Sequence, residues 1–259
     1  MRILMIGDIV GRPGRRAVKE NVPDIRKEFG ISFVIANGEN AAGGVGITRE
    51  TAEELFSYGI DVLTGGNHIW DKKESFEYIS GEPRLLRPAN YPPGVPGFGY
   101  GIFTVGDCKM AVVNLSGRVF MPGVDCPFRK ADEVLAELTP LTRVIMVDFH
   151  AETTSEKIAL GWYLDGRVSA VLGTHTHVQT ADERVLPGGT AYITDVGMTG
   201  PQDSVIGVKS DAVIERFLTQ MPKRFEVATG PYQFDACVVT VNPVTGRALG
   251  IERIKNFEI

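Results

Sequence analysis

All four histidines of this chain stand just past short apolar runs, in segments with the form of a strand opening into a polar loop. His68 closes Thr64-Gly65-Gly66-Asn67-His68, His150 closes Val147-Asp148-Phe149-His150, and His175 and His177 fall in Leu172-Gly173-Thr174-His175-Thr176-His177. Two segments of the same form, Met5-Ile6-Gly7-Asp8 and Ala36-Asn37-Gly38-Glu39-Asn40, add carboxylates and an amide. An α/β sheet gathers the carboxyl ends of its parallel strands along one edge, so these segments would share one crevice. Asp8, Glu39, Asn40, Asn67, His150, His175 and His177 combine hard oxygen donors with imidazole and include no thiolate. Such a mixture suits iron, manganese or zinc better than calcium or a cysteine-type structural zinc.

Each residue alone has an ordinary explanation. Gly7-Asp8 can be a strand-ending turn, Asn40 a left-handed turn residue, and a single histidine is more often hydrogen-bonded structure than a ligand. Their conjunction at one predicted edge favours a metal centre with more than one ion. In extended backbone, His175 and His177 point the same way, and past a strand end they can reach one ion or two neighbouring ones. A helical HExxH is absent, and the HxHxDH run of a metallo-β-lactamase-like site is broken by Val178-Gln179-Thr180. If two ions lie ~3.5–4 Å apart, as in two-metal hydrolytic sites, one acid must bridge them. Glu39, in a loop already rich in ligands, is the best placed.

The elements that must position these residues follow from hydrophobic periodicity. Segments 2–6, 32–36 and 61–64 read as buried strands, with helices expected over 15–29, 49–57 and 72–79, an organisation of βαβ type. Pro23 is expected to split or kink the first helix. A stretch rich in proline and glycine near 81–101 reads as an excursion from the core. Gly106-Asp107 between runs 101–105 and 109–114 signals a hairpin. Helix 129–137, strand 143–148, helix 154–162 and strand 167–172 resume the alternation, and Thr153 with Glu156 predicts a capping box. Strand 190–194, a helix near 211–218 and strands 235–241 and 248–254 complete one α/β unit with both faces covered.

The chain has 259 residues, 43% of them hydrophobic, enough to bury the core of a single domain spanning 1–259. Its net charge of -5 argues against general attraction to nucleic acid or anionic membrane. Cys108, Cys126 and Cys237 are far apart and form no CxxC, which argues against a disulfide framework or zinc knuckle and fits a reducing cytosol. No stretch approaches the ~18 apolar residues of a membrane span. The expectation is a cytoplasmic protein with no membrane association and no stable nucleic-acid complex, with a homo-oligomer left open.

In their order, Gly7-Asp8, Gly38-Glu39-Asn40, Gly66-Asn67-His68, His150 and Gly173-Thr174-His175-Thr176-His177 resemble the calcineurin-like metallophosphoesterases. The resemblance is closer still to their bacterial YmdB branch. It is carried by Gly7-Asp8-Ile9-Val10-Gly11-Arg12-Pro13-Gly14, Asn37-Gly38-Glu39-Asn40-Ala41-Ala42-Gly43-Gly44, Gly65-Gly66-Asn67-His68-Ile69-Trp70-Asp71, Asp148-Phe149-His150-Ala151-Glu152 and Asp195-Val196-Gly197-Met198-Thr199-Gly200-Pro201. It implies a four-layered α/β/β/α sandwich and a dinuclear centre hydrolysing phosphate esters, with 2',3'-cyclic nucleotides as substrates and iron as the associated metal. By the same resemblance Asp8, Glu39, Asn40 and His177 hold one ion, and Glu39, Asn67, His150 and His175 the other. Val10 stands where many superfamily members have the histidine of Asp-x-His, and Glu39 where they place a bridging Asp. Both departures match the YmdB branch, and Asn40 takes the place of the missing ligand.

Two cations can neutralise phosphate oxygens and lower the pKa of a bound water from 15.7 toward ~7. The departing alkoxide then needs a proton. His68 matches the family's non-ligand histidine, and an imidazole of ordinary pKa near 6.5 can supply that proton. Its alternative role is support for Asn67. The function in a different class is a metal-containing regulatory protein that binds RNA or a protein partner. Weaker signals have plain readings: Arg12, Arg15 and Arg16 as a solvated basic face, Tyr91, Phe98 and Tyr100 as a local cluster or interface, and Cys126 as incidental. Asp148, Glu152 and Asp195 are candidate supports for ligand histidines.

Overall fold

The computed structural model describes residues 1–258. In chain order the first half runs β1 (Arg2–Ile6), β2 (Asp8–Ile9), α1 (Gly11–Phe29), β3 (Phe33–Asn37), α2 (Arg49–Ser57), β4 (Val62–Thr64), a 3-10 turn (Lys73–Ser75), α3 (Phe76–Gly81), β5 (Leu85–Leu86), β6 (Tyr100–Val105) and β7 (Cys108–Ser116). The second half runs α4 (Pro127–Leu138), β8 (Val144–His150), α5 (Thr154–Leu164), β9 (Ala170–Thr174), β10 (Arg184–Val185), β11 (Ala191–Ile193), β12 (Met198–Pro201), α6 (Ser210–Thr219), β13 (Tyr232–Val241) and β14 (Ala248–Phe257).

These strands form two sheets. The first has the order β2-β12-β13-β1-β3-β4-β5, with β14 paired to β13, and the second the order β10-β11-β9-β8-β7-β6. Within the first, β1, β3, β4 and β5 are parallel neighbours. Within the second, β7, β8, β9 and β11 are. Inward-facing residues of both sheets share one core, in which Ile3, Met5 and Ile35 meet Val112, Met146 and Leu172. The opposite face of the first sheet packs Leu4, Val34 and Val238 on Val18 and Val22 of α1 and Leu55 of α2. That of the second packs Val113, Ile145 and Val171 on Val134 and Leu138 of α4 and Leu160 and Leu164 of α5. The result is the expected four-layered α/β/β/α sandwich, because the central strands such as β3, β8 and β9 alternate between two buried faces.

Three local expectations change. α1 is continuous from Gly11 to Phe29 across Pro23. Pro23 is exposed, so the carbonyl one turn before it, which loses its donor, faces water instead of the core. The Thr153 and Glu156 capping box does not form. The Glu156 carboxylate instead accepts the backbone N–H groups of Arg118 and Val119, a tertiary competitor that no local pattern reveals. A reciprocal cap forms on α2 instead, between Thr48 and Thr51. The 81–101 excursion contains β5, which extends the first sheet beside β4.

Candidate metal centre

Parallel register brings the strand ends together: Ile6 lies beside Ala36, Asn37 beside Thr64, and His150 beside both Ser116 and Thr174. The carboxyl edges of the two sheets therefore meet across one crevice. Asp8, Glu39 and Asn40 reach it from the first sheet, as does Asn67 from the loop after β4, while His150, His175 and His177 reach it from the second.

The tightest convergence surrounds His150 Nε2. Glu39 Oε1 lies 2.9 Å from it, Asn67 Oδ1 3.0 Å and His175 Nδ1 3.0 Å. One ring nitrogen can share one proton, yet three further donor atoms crowd it. Separations of this size are those between neighbouring ligands of one ion held at about 2.1 Å. Glu39, His150 and His175 form a group whose ligand atoms all lie within 4.8 Å of one another.

A second grouping shares Glu39. Asn40 Nδ2 lies 3.4 Å from Glu39 Oε1 and 3.4 Å from His177 Nε2, and an amide turned over would present its oxygen there instead. Asp8 Oδ1 stands 3.8 Å from His177 Nε2 and 3.9 Å from His150 Nδ1. That oxygen is buried and has no hydrogen-bond partner, a costly state for a carboxylate unless a cation completes it. Its other oxygen accepts the His175 N–H at 3.0 Å, tying the two sheets together.

Burial works against ionisation of Glu39, but the adjacent His150 outweighs it and brings the carboxyl down to about 2. Burial likewise opposes charge on His150, and Glu39 overrides it, raising the imidazole to about 9. His175, buried beside His150, is pushed down to about 3, which leaves its Nδ1 lone pair free to face the cluster. Burial pushes the Asp8 carboxyl up despite His177 and His150 nearby. The donor set and the unpartnered Asp8 oxygen thus fit cations.

Neighbours fix each imidazole. His150 Nδ1 meets Thr174 Oγ1 at 3.0 Å, and Thr174 donates to Asp148 Oδ1 at 2.7 Å. His175 Nε2 faces Glu152 at 3.0 Å, and His177 Nδ1 donates to the Ile206 carbonyl at 2.9 Å. His68 lies outside this knot of side chains. Its backbone N–H donates to Glu39 Oε2 at 3.0 Å, while its partly exposed ring meets Asp71 Oδ2 through Nδ1 at 2.6 Å.

Other sequence candidates are placed elsewhere. Arg15 bridges Glu54 and the Ala41 carbonyl, and Arg16 pairs with Glu258, so both are structural. Tyr91 packs edge-on against Trp70. Asp195 contacts Thr176, not a histidine. Sequence reasoning assigned no role to Asp71 or Lys157. Asp71 shows itself only as an acid three residues past His68. Lys157 was findable as a charge on the apolar stripe Lys157, Leu160, Gly161 and Leu164 of α5.

Two face-to-face sheets with acids, amides and imidazoles at their converging carboxyl ends have the layout of the metallophosphoesterase fold. A Staphylococcus aureus structure given the provisional description 5'-nucleotidase superposes with a TM-score of 0.64 at 14% identity, covering 98% of this chain and 54% of that one, a likeness of fold alone. The chain belongs to the YmdB-like protein family, whose pattern matches residues 4–254. A Bacillus subtilis relative described as a 2',3'-cyclic-nucleotide 2'-phosphodiesterase is 54% identical over 98% of this chain and 96% of its own. The crystal structure of a Mycoplasma pneumoniae protein, described as a novel phosphatase, has a TM-score of 0.94 at 34% identity and covers 99% of this chain and 93% of that one. Among the described residues, no helix is long and apolar enough to cross a membrane.

Proposed function

We propose that this chain is a metal-dependent phosphodiesterase hydrolysing 2',3'-cyclic nucleotides. The reading is supported by kinship with the Bacillus subtilis enzyme. The structural observation that carries it is the crowding of Glu39, Asn67 and His175 around His150 Nε2 beside an unpartnered Asp8 oxygen. Asp8, Glu39, Asn40 and His177 would hold one ion, and Glu39, Asn67, His150 and His175 the other, with Glu39 shared. Iron is the first assignment, from the family resemblance, and an oxygen and imidazole donor set also accommodates manganese or zinc. The free cysteines suit a cytoplasmic enzyme, with residues 1–259 as one domain. No observation favours a regulatory binding protein instead.

When bound, the ions supply Lewis acidity toward the phosphate and a nucleophile at neutral pH. The chain's own residues do the rest. Thr174, Glu152 and the Ile206 carbonyl hold the three ligand imidazoles at their outward nitrogens, leaving the inward ones for the cluster. Asp71 engages His68 at Nδ1, which places the transferable proton on Nε2 for the leaving ribose oxygen.

Chelator-stripped protein is expected to be inert and to regain turnover of 2',3'-cyclic nucleotides and bis-p-nitrophenyl phosphate with added manganese or iron. Inertness with every metal tried would move the chain to the regulatory class. Gly66 gives a steric test of the site. A Cβ at this position would sit 2.3 Å from His150 Nε2 and 2.5 Å from Glu39 Oε2, so the loop approaches the cluster only without a side chain. Gly66→Ala should cut turnover by about 10²-fold or more through misplaced ligands, and lower metal content with it. Unchanged metal content and turnover would show that the cluster is not the reacting centre.

A further inference from the structure

Lys157 is 1% exposed, inside the molecule on α5, and its Nζ lies 2.7 Å from Asp195 Oδ2, itself fully buried. The lysine stem runs beneath the end of β9, where a Cβ at Gly173 would come within 3.1 Å of its Cδ. Asp195 Oδ2 also accepts two hydrogen bonds from Thr176, from N–H at 3.1 Å and from Oγ1 at 2.7 Å. Asp195 Oδ1 accepts the Gly197 N–H at 2.8 Å. Thr176 separates His175 and His177, and both histidines have positive φ, 102° and 65°. Side-chain-bearing residues rarely adopt that backbone region, and they hold it only where surrounding contacts overdetermine it. Thr176 supplies contacts of that kind, and the carboxylate it binds lies against a buried ammonium group.

We propose that the buried Lys157 and Asp195 pair is a lock on the His175-Thr176-His177 loop, which makes Lys157 a positioning residue for both histidines. The inference rests on the reading of those histidines as ligands. Charge is what the lock needs: hydrogen bonds to an ionised acceptor are roughly twice as strong as neutral ones, and both Thr176 bonds end on the same carboxylate oxygen. A buried pair serving packing alone could be exchanged for neutral groups without consequence for the loop.

The test uses full-length protein stripped of metal, with Lys157→Met, Thr176→Val and the double variant Lys157→Met with Asp195→Asn. Three quantities are measured on each: the thermal midpoint, amide exchange at residue 176, and the manganese binding isotherm. Lys157→Met is expected to lower the midpoint, speed exchange at residue 176, and weaken manganese binding by about 10–100-fold, the range for lost support of a ligand. The double variant removes the lone buried charge, so its midpoint should recover while its manganese affinity should not. Thr176→Val leaves the ion pair intact and should still weaken manganese binding. Affinity that recovers in step with the midpoint, or wild-type affinity in Thr176→Val, would overturn the lock. If Lys157→Met does not fold, the other two variants carry the decision. Absence of manganese binding by the wild-type chain would count against the metal reading, whereas unchanged exchange at residue 176 in the variants counts against the lock whatever the metal does.

Discussion

Glu39→Gln is expected to abolish both turnover and stable metal loading while leaving the fold intact. The amide matches the carboxyl in shape, and residue 39 is 1% exposed, so packing is kept. What changes is charge and donor character. Glu39 Oε1 faces His150 Nε2 at 2.9 Å and Oε2 accepts the His68 N–H at 3.0 Å. A Gln must turn its NH₂ toward one of those positions, either against the His68 N–H or toward the ligand cluster. The two ion positions assigned to Glu39 then lose their shared anion together. Loss of turnover by about 10²–10³-fold or more is expected, the scale of removing one electrostatic contact to reacting charge. Metal analysis of the purified variant beside its kcat checks this. Near-normal turnover with two bound ions would require another residue to be the bridge.

His68→Ala is expected to separate proton transfer from metal binding. The His68 ring lies outside the cluster that crowds His150 and is held by Asp71, so metal content should stay close to that of the unchanged protein. Turnover of 2',3'-cyclic nucleotides should fall by about 10²–10⁴-fold, the usual contribution of a positioned general acid. Esters of p-nitrophenol should lose much less, since that leaving group departs without protonation. The comparison is made with kcat on both substrates, and Asp71→Asn should give a smaller loss of the same pattern. Equal losses on both substrates, or loss of an ion, would return His68 to a supporting role for Asn67.

The strands that carry the site were readable from sequence because each is a short apolar run ending abruptly in glycine and polar residues, and parallel pairing then dictates a common edge. Ile6 to Asp8 and Thr64 to Asn67 are of this kind. The support around the ligands was much less visible. Thr174 and the Ile206 carbonyl act on histidines through contacts between segments distant in sequence, which no periodicity records. The Thr153 and Glu156 pair shows the opposite failure, a sound local motif defeated by distant backbone N–H groups at Arg118 and Val119. Short strands such as β2 and β12 escape notice for a related reason. β2 is defined by β12, Met198 pairing with Asp8 and Thr199 with Ile9, and β12 by β2 and β13, and neither is long enough to show an alternation of its own.

On the proposed function, two ions held by this crevice perform the chemistry. Titration of chelator-stripped protein with manganese, counting bound ions and measuring 2',3'-cyclic nucleotide turnover in the same samples, tests it most directly. Turnover should be absent in the stripped protein, rise with loading and reach its plateau at two ions per chain. Turnover without metal, or an inert protein carrying two ions, would contradict it.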